Sequence, residues 1–204
     1  MLSRPRARSH ETPRAHNAIP PDQVLDAAHA IVCERGIRGL TMADLARQAQ
    51  VSRATLYRTW PNVEGVVADL FTREFRGLVT AAMRTLDGES VREVLVGLTV
   101  TMVAAARDLP LLQRVVEVDP EFLATYLLYR RGRSTEEQIR LLEDLIRDGQ
   151  AEGSVRPGDA TILASAVLLN AWGFVLTGPA FVGDDELDEL DDVLGDLLEA
   201  FLRP

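Results

Sequence analysis

Between residues 52 and 58 the chain reads Ser-Arg-Ala-Thr-Leu-Tyr-Arg, a set of side chains suited to hydrogen bonding rather than to bond breaking. The guanidinium of Arg53 can pair through two N–H groups with the major-groove edge of guanine, and Ala54 can sit against a thymine methyl. Arg58 joins Arg53, Thr55 and Tyr57 in a recognition set, and the hydroxyls of Ser52, Thr55 and Tyr57 suit phosphate oxygens, as does Thr41 at the head of the preceding segment. No Ser/His/Asp, Cys/His, paired-acid or phosphate-loop arrangement accompanies them, and the three histidines, His10, His16 and His29, fall near the N-terminus. The expectation is a binding protein, not an enzyme, with no cofactor. His29 and Cys33 lie four apart, a spacing that could put two metal ligands on one helix face, but no third or fourth ligand accompanies them. The acids from Asp184 to Asp192 lack the spacing and glycine of a calcium loop and read as a solvated helix start. No metal site is expected.

Those polar residues need rigid elements to aim them. Thr41 is a good N-cap, and Asp44 three residues on can bond back to it, a variant of the capping box. Met42, Leu45, Ala46 and Ala49 then share one face of a short helix, Gln50-Val51 turns the chain, and Ser52 caps a second short helix. Leu56 points inward and its neighbours point out. Two short capped helices joined by a tight turn suit placement of the second in the DNA major groove.

The wider segment, residues 22–70, resembles the N-terminal domain of the TetR family of bacterial transcriptional regulators. The matching pieces are Cys33-Glu34-Arg35-Gly36, Leu40-Thr41, Asp44-Leu45-Ala46, Val51 through Arg58, and Trp60-Pro61-Asn62, in family order and spacing. The resemblance implies an all-α fold: an N-terminal three-helix helix-turn-helix DNA-binding domain plus a C-terminal helical ligand-binding and dimerisation domain. It also implies a homodimer built on the last two helices and a small-molecule effector bound within the body. Three positions depart from the family pattern. Gln50 stands where glycine is usual, at a cost of about 1 kcal/mol if φ is positive there. Thr59 replaces a larger residue. Val63 replaces a phosphate-contacting lysine, which should flatten the salt dependence of DNA binding by roughly one unit. Trp60 is expected to lock the reader helix by packing rather than to stack on a base.

Charge supports the division. The 204 residues carry a net charge of −9, yet residues 1–62 hold nine Arg against five acids, and the remainder thirteen Arg against twenty-six. A basic head on an acidic body fits a nucleic-acid-binding domain joined to something else. The expected parts are a disordered arm over 1–19, a DNA-binding domain over 20–65 and an effector-binding and dimerisation domain over 66–204. No apolar run of about 18 residues is apparent, so no membrane span is expected. The arginine-bearing N-terminus lacks an apolar stretch, so it does not read as a secretory signal. A single cysteine, Cys33, fits a reducing cytoplasm.

Helical spacing and punctuation predict helices over about 22–35, 42–49, 53–59, 63–86, a segment ending near 107, 110–118, one opened by Asp119-Pro120, 134–152 opened by a Ser134/Glu137 capping box, 159–177 stopped by Gly178-Pro179, and 185–202. The segment from Ile162 to Leu176 is apolar on every side and so needs burial on every side, which suggests a partner subunit. Leu168, Trp172, Leu190, Leu194, Leu197 and Phe201 are the expected dimer contacts. Met102, Phe122, Tyr126, Tyr129, Asn170, Trp172 and Phe174 are candidates to line an effector site, favouring an apolar or aromatic ligand. The reading is a ligand-responsive repressor that binds a palindromic operator on double-stranded DNA as a homodimer. The alternative is a helical ligand- or protein-binding module with weakened DNA binding.

Overall fold

The computed structural model describes residues 21–128 and 133–204, with side chains omitted at 125–128 and 133. The arm over 1–19 and Tyr129 lie outside the described residues, as does the side chain of Tyr126. Ten α-helices and no strands are present among the described residues: α1 (Pro21–Arg35), α2 (Met42–Gln48), α3 (Arg53–Thr59), α4 (Val63–Ala82), α5 (Val91–Arg107), α6 (Pro110–Val118), α7 (Pro120–Leu128), α8 (Arg133–Glu152), α9 (Ala160–Phe181) and α10 (Leu187–Leu202).

Helices α1, α2 and α3 wrap a small core centred on Ile31, Leu45 and Leu56, closed from below by Val66 and Leu70 of α4. Val24, Ala27, Ala28, Ile31 and Val32 recur at i, i+3, i+4 on α1, so one stripe of that helix is buried. The body packs α5 against α8, α9 and α10, with α4 across α8 and α6 against α1. Leu95, Leu111, Ile146, Leu194 and Leu202 are its fully buried anchors. The expected domain boundary at residue 65 falls inside the first turn of α4, a continuous helix whose Val66, Val67 and Leu70 join the one buried cluster that runs from the head into the body.

Several boundaries differ from the sequence expectation, each for a physical reason. Helix α4 ends at Ala82 because Arg84 and Thr85 N–H groups bond back three residues, to Ala81 and Ala82, and the Thr85 hydroxyl also takes the Ala82 carbonyl. Helix α9 continues through Pro179 to Phe181. The preceding glycine tolerates the crowding that proline imposes, and Gly178 lies so close to α10 that a Cβ there would meet Leu190 Cδ2 at 3.1 Å. By length and composition α9 is apolar enough to cross a membrane, with a mean hydropathy of 1.7, contrary to the expectation that no such run exists. Its inner stripe of Leu163, Ala164, Val167 and Val175 is buried in the body core.

Three groups expected to act locally have distant partners. Asp119 does not cap α7 with its side chain; Oδ2 accepts the Ile37 N–H at 2.6 Å. Glu137 forms no capping box with Ser134 but takes two N–H groups of Arg76 on α4, at 2.9 and 2.7 Å. Asp191, expected on a solvated face, is buried and ion-paired to Arg107 of α5, itself almost fully covered.

Candidate nucleic-acid interface and body cavity

The first reader helix is set by Thr41, whose Oγ1 accepts the Asp44 N–H at 3.1 Å and donates to Asp44 Oδ2 at 2.9 Å. Asp44 therefore bonds the cap hydroxyl rather than the cap N–H, and its other oxygen holds Arg47 at 2.5 Å. The helix ends in a Schellman motif: the Val51 N–H reaches Ala46 O at 2.9 Å and the Gln50 N–H reaches Arg47 O at 3.2 Å. That motif requires a left-handed residue at its turn, and Gln50 supplies it with φ 55°, the one positive-φ non-glycine residue among those described. Gln23 of α1 secures the same corner by donating to Ala49 O at 2.8 Å.

Ser52 then opens α3, its Oγ accepting the Thr55 N–H at 3.1 Å and sharing a 2.5 Å contact with Thr55 Oγ1. Leu56 is wholly buried, whereas Arg53, Ala54, Tyr57 and Arg58 are exposed, Tyr57 at 51%. Thr55 is half-buried and its hydroxyl is engaged by Ser52, so it contributes shape as well as a hydroxyl. Arg53 makes no ion pair among the described residues and borders a shallow depression between α2 and α3 with Asp44 and Arg47. Trp60 is buried and donates Nε1–H to Asp69 of α4 at 2.8 Å, which fixes the end of the reader to the helix that follows. Asn62 caps α4 through Gly65 N–H, and Val63 packs half-buried on the core, offering no phosphate contact.

The head is gripped from the body at two places. Gly36, at φ 75°, brings the α1–α2 loop so close to the end of α6 that a Cβ would collide with Asp119 Oδ2 and meet Val118 Cγ2 at 2.7 Å. Asp119 holds Ile37 N–H there, Arg38 pairs with both Asp119 and Glu121, and Arg114 donates to Glu34 O at 3.1 Å. On the other side Arg73 of α4 reaches Asp26 of α1 at 2.7 Å while also binding Glu74. Cys33 and His29 approach to 3.8 Å without further ligands, and no metal-binding cluster occurs among the described residues. Burial pushes the Cys33 thiol above its ordinary pKa, the Glu74 charge adds to this, and Arg114 opposes it.

A cavity of about 100 Å³ lies between α4, α5, α6, α8 and α9. Its wall is apolar: Phe71, Phe75 and Leu78 of α4, Met102 and Ala106 of α5, Leu109 just before α6 and Leu112 within it, and Leu168, Ala171, Trp172 and Val175 of α9, broken only by Glu74, Ser134 and Gln138. A second void of about 50 Å³ shares Phe75, Met102, Gln138 and Leu168 with it. Of the residues expected to line an effector site, Met102 and Trp172 border this cavity. Phe122 stands behind the wall, its ring stacked on Phe71 with centroids 6.5 Å apart. Asn170 and Phe174 instead border a groove on the outer side of α9, and the Asn170 amide donates to Ala166 O at 2.8 Å, one turn back. An all-apolar helix gives no sequence signal for which side turns inward. The α4 wall was not expected, although Phe71, Glu74, Phe75 and Leu78 recur at i, i+3, i+4, i+7, a pattern that sets one acid inside an apolar stripe.

Residues 24–70 match the profile of bacterial regulatory proteins of the tetR family. An HTH-type transcriptional regulator of Mycobacterium bovis is 36% identical over 151 residues, 73% of this chain and 76% of that protein. The chain belongs to the TetR family. It is thus a DNA-binding transcriptional regulator, and the helix-turn-helix is α2 with α3. The fold is shared with the R. erythropolis transcriptional repressor QsdR (TM-score 0.67, 16% identity, 90% of this chain and 96% of that one). It is also shared with a Bacillus subtilis FadR solved with stearoyl-CoA (TM-score 0.63, 17% identity, 89% and 99%).

In this TetR-family regulator the outer face of α9 and α10 is strongly apolar. Ile162, Leu169 and Phe181 are 66%, 75% and 84% exposed, and Val193 and Leu197 join them from α10. Of the expected dimer contacts, Leu197 lies on this face and Leu190 borders its groove. Leu168 and Trp172 turn inward to the cavity, Leu194 is fully buried within the chain, and Phe201 lies beneath the Arg156 guanidinium, 5.7 Å from the ring centre. One residue along an α-helix is about 100° of rotation, so Leu169 faces out where Leu168 faces in.

Proposed function

We infer that the protein is a homodimeric repressor whose two α3 helices bind half-sites of a palindromic operator, and that a small apolar or aromatic molecule entering the body cavity releases it. The observation that carries this reading is α4, which begins directly beyond the reader, packs on its core, and supplies Phe71, Glu74, Phe75 and Leu78 to the cavity wall. A ligand there acts on the helix that orients the reader. Release requires that the ligand bind the released arrangement more tightly than the DNA-bound one.

The apolar outer face of α9 and α10 is the surface for the second copy. A two-fold axis through it repeats the reader on both sides, and half-sites about 34 Å apart are the matching DNA geometry. Arg53 and Ala54 read bases, while Thr41, Ser52, Thr55, Tyr57 and Arg58 engage phosphates or neighbouring bases. That FadR holds stearoyl-CoA supports the idea that this fold accommodates ligands with large apolar parts.

The test is selection of binding sites from a random duplex library at low salt, with Arg53→Ala and Tyr57→Ala alongside. A palindrome enriched by the natural protein and lost in both variants is expected. No enrichment from a folded dimer would refute repression and favour the module with weakened DNA binding.

A further inference from the structure

We propose that the body cavity selects an apolar ligand with one cationic end, a protonated amine or quaternary ammonium, seated against Glu74. This deepens the effector reading above and rests on it.

Glu74 is the one ionisable side chain in the cavity wall among the described residues. Its Oε1 receives both Arg73 Nε–H at 3.2 Å and Arg73 Nη2–H at 2.8 Å. Its Oε2 receives no donor among the described residues. Arg73 also serves Asp26, at 2.7 Å, so one guanidinium faces two carboxylates and the cluster keeps a net negative charge. Glu74 also adds to the burial that pushes the Cys33 thiol of α1 up. Arg114, the other cation near Cys33, is engaged by Glu117 at 2.8 Å and the Glu34 carbonyl and is not part of the wall.

The remaining polar wall atoms largely satisfy one another. Trp172 Nε1–H donates to Gln138 Oε1 and Gln138 Nε2–H to Ser134 Oγ, each at 3.2 Å. An anionic ligand would find no cation in the wall and a carboxylate facing it. A cation finds that carboxylate and the faces of Phe71, Phe75 and Trp172, which also attract positive charge. Its arrival places a second cation on Glu74 in competition with Arg73, the residue that ties α4 to α1.

Phenylbutylamine, phenylbutanol and phenylbutyrate share one skeleton and differ in charge, and each is titrated calorimetrically into the full-length protein at neutral pH. The amine is expected to bind at least tenfold more tightly than the alcohol, with the carboxylate weakest. Glu74→Gln should bring the amine down to the affinity of the alcohol. Equal binding of amine and alcohol, tighter binding of the carboxylate, or an amine preference that survives Glu74→Gln would overturn the inference while leaving the cavity as a ligand site. Absence of binding by all three, both in the natural protein and in Leu168→Ala with its larger cavity, would overturn the site itself.

Discussion

Replacing Gln50 by glycine should make this protein more stable. The turn between α2 and α3 holds Gln50 at φ 55°, in the left-handed region, and the residue is exposed, so no packing is lost with its side chain. An L-residue in that region costs roughly 1–2 kcal/mol relative to glycine. Glycine's extra freedom in the unfolded chain returns about 0.4–1 kcal/mol of that. The net is a stabilisation of about 0.5–1 kcal/mol, or a rise in Tm of roughly 1–4 °C for a chain of this size. Gln50→Ala is the control, because alanine keeps the backbone penalty and removes the side chain. Equilibrium urea unfolding at fixed protein concentration measures all three. If Gln50→Gly falls at or below Gln50→Ala with an unchanged m-value, the Schellman geometry assigned to this turn is not what limits its stability. The wild-type glutamine would then have to be held by something other than the turn.

Other consequences are equally direct. Leu169→Glu and Phe181→Glu put charges on the exposed face of α9 and should shift sedimentation from dimer to monomer, whereas Leu194→Ala, inside the chain, should lower stability by about 2–5 kcal/mol without that shift. Asp119→Ala removes a carboxylate from the Ile37 N–H and should cost about 1.5–3 kcal/mol, with faster amide exchange over 36–40; Asp119→Asn, which keeps an acceptor, should cost less. Breaking the buried Arg107–Asp191 pair by Asp191→Ala should cost about 3–5 kcal/mol, and Arg107→Met combined with Asp191→Leu should recover most of it in thermal melts. Because burial and then Glu74 raise the Cys33 pKa, the thiolate fraction at pH 8 is lower than for a free cysteine, so iodoacetamide should react slowly. Glu74→Gln should speed it, since the charge that favours the thiol is gone.

The head was legible because its determinants are local. Thr41, Ser52 and Asn62 cap helices within three residues of themselves, and the positive φ of Gln50 follows from the same turn that the caps define. In the body the same residue types carry long-range work that no local pattern reveals. Asp119 beside a proline looks like an N-cap, yet its partner is 82 residues away; Glu137 beside Ser134 looks like a capping box, yet it binds Arg76, 61 residues away. Asp191 lies in an acidic run but meets Arg107 across 84 residues. In α9 the obstacle is different. When every face is apolar, periodicity cannot say which stripe meets the core, and Leu168 and Leu169 were indistinguishable until α8 and α10 were in place.

The two grips on the head have a common feature that bears on how the cavity could govern the reader. Arg73 adjoins Glu74 in sequence and shares its carboxylate, so the contact to Asp26 of α1 is one bond removed from the cavity wall. Asp119 sits three residues before Phe122, whose ring stacks on Phe71 of the same wall, so the contact to Ile37 is also one ring removed. Both grips hold α1 and its following loop, and α1, α2 and α3 pack on one another through Ile31, Leu45 and Leu56. A ligand that displaced Arg73 from Glu74 or pushed Phe71 against Phe122 would therefore act on the head through two separate points. That arrangement makes a specific demand: Arg73→Ala and Asp119→Ala, combined in a double-mutant cycle on operator affinity with and without ligand, must show non-additive loss of the ligand response if the head is steered from both ends.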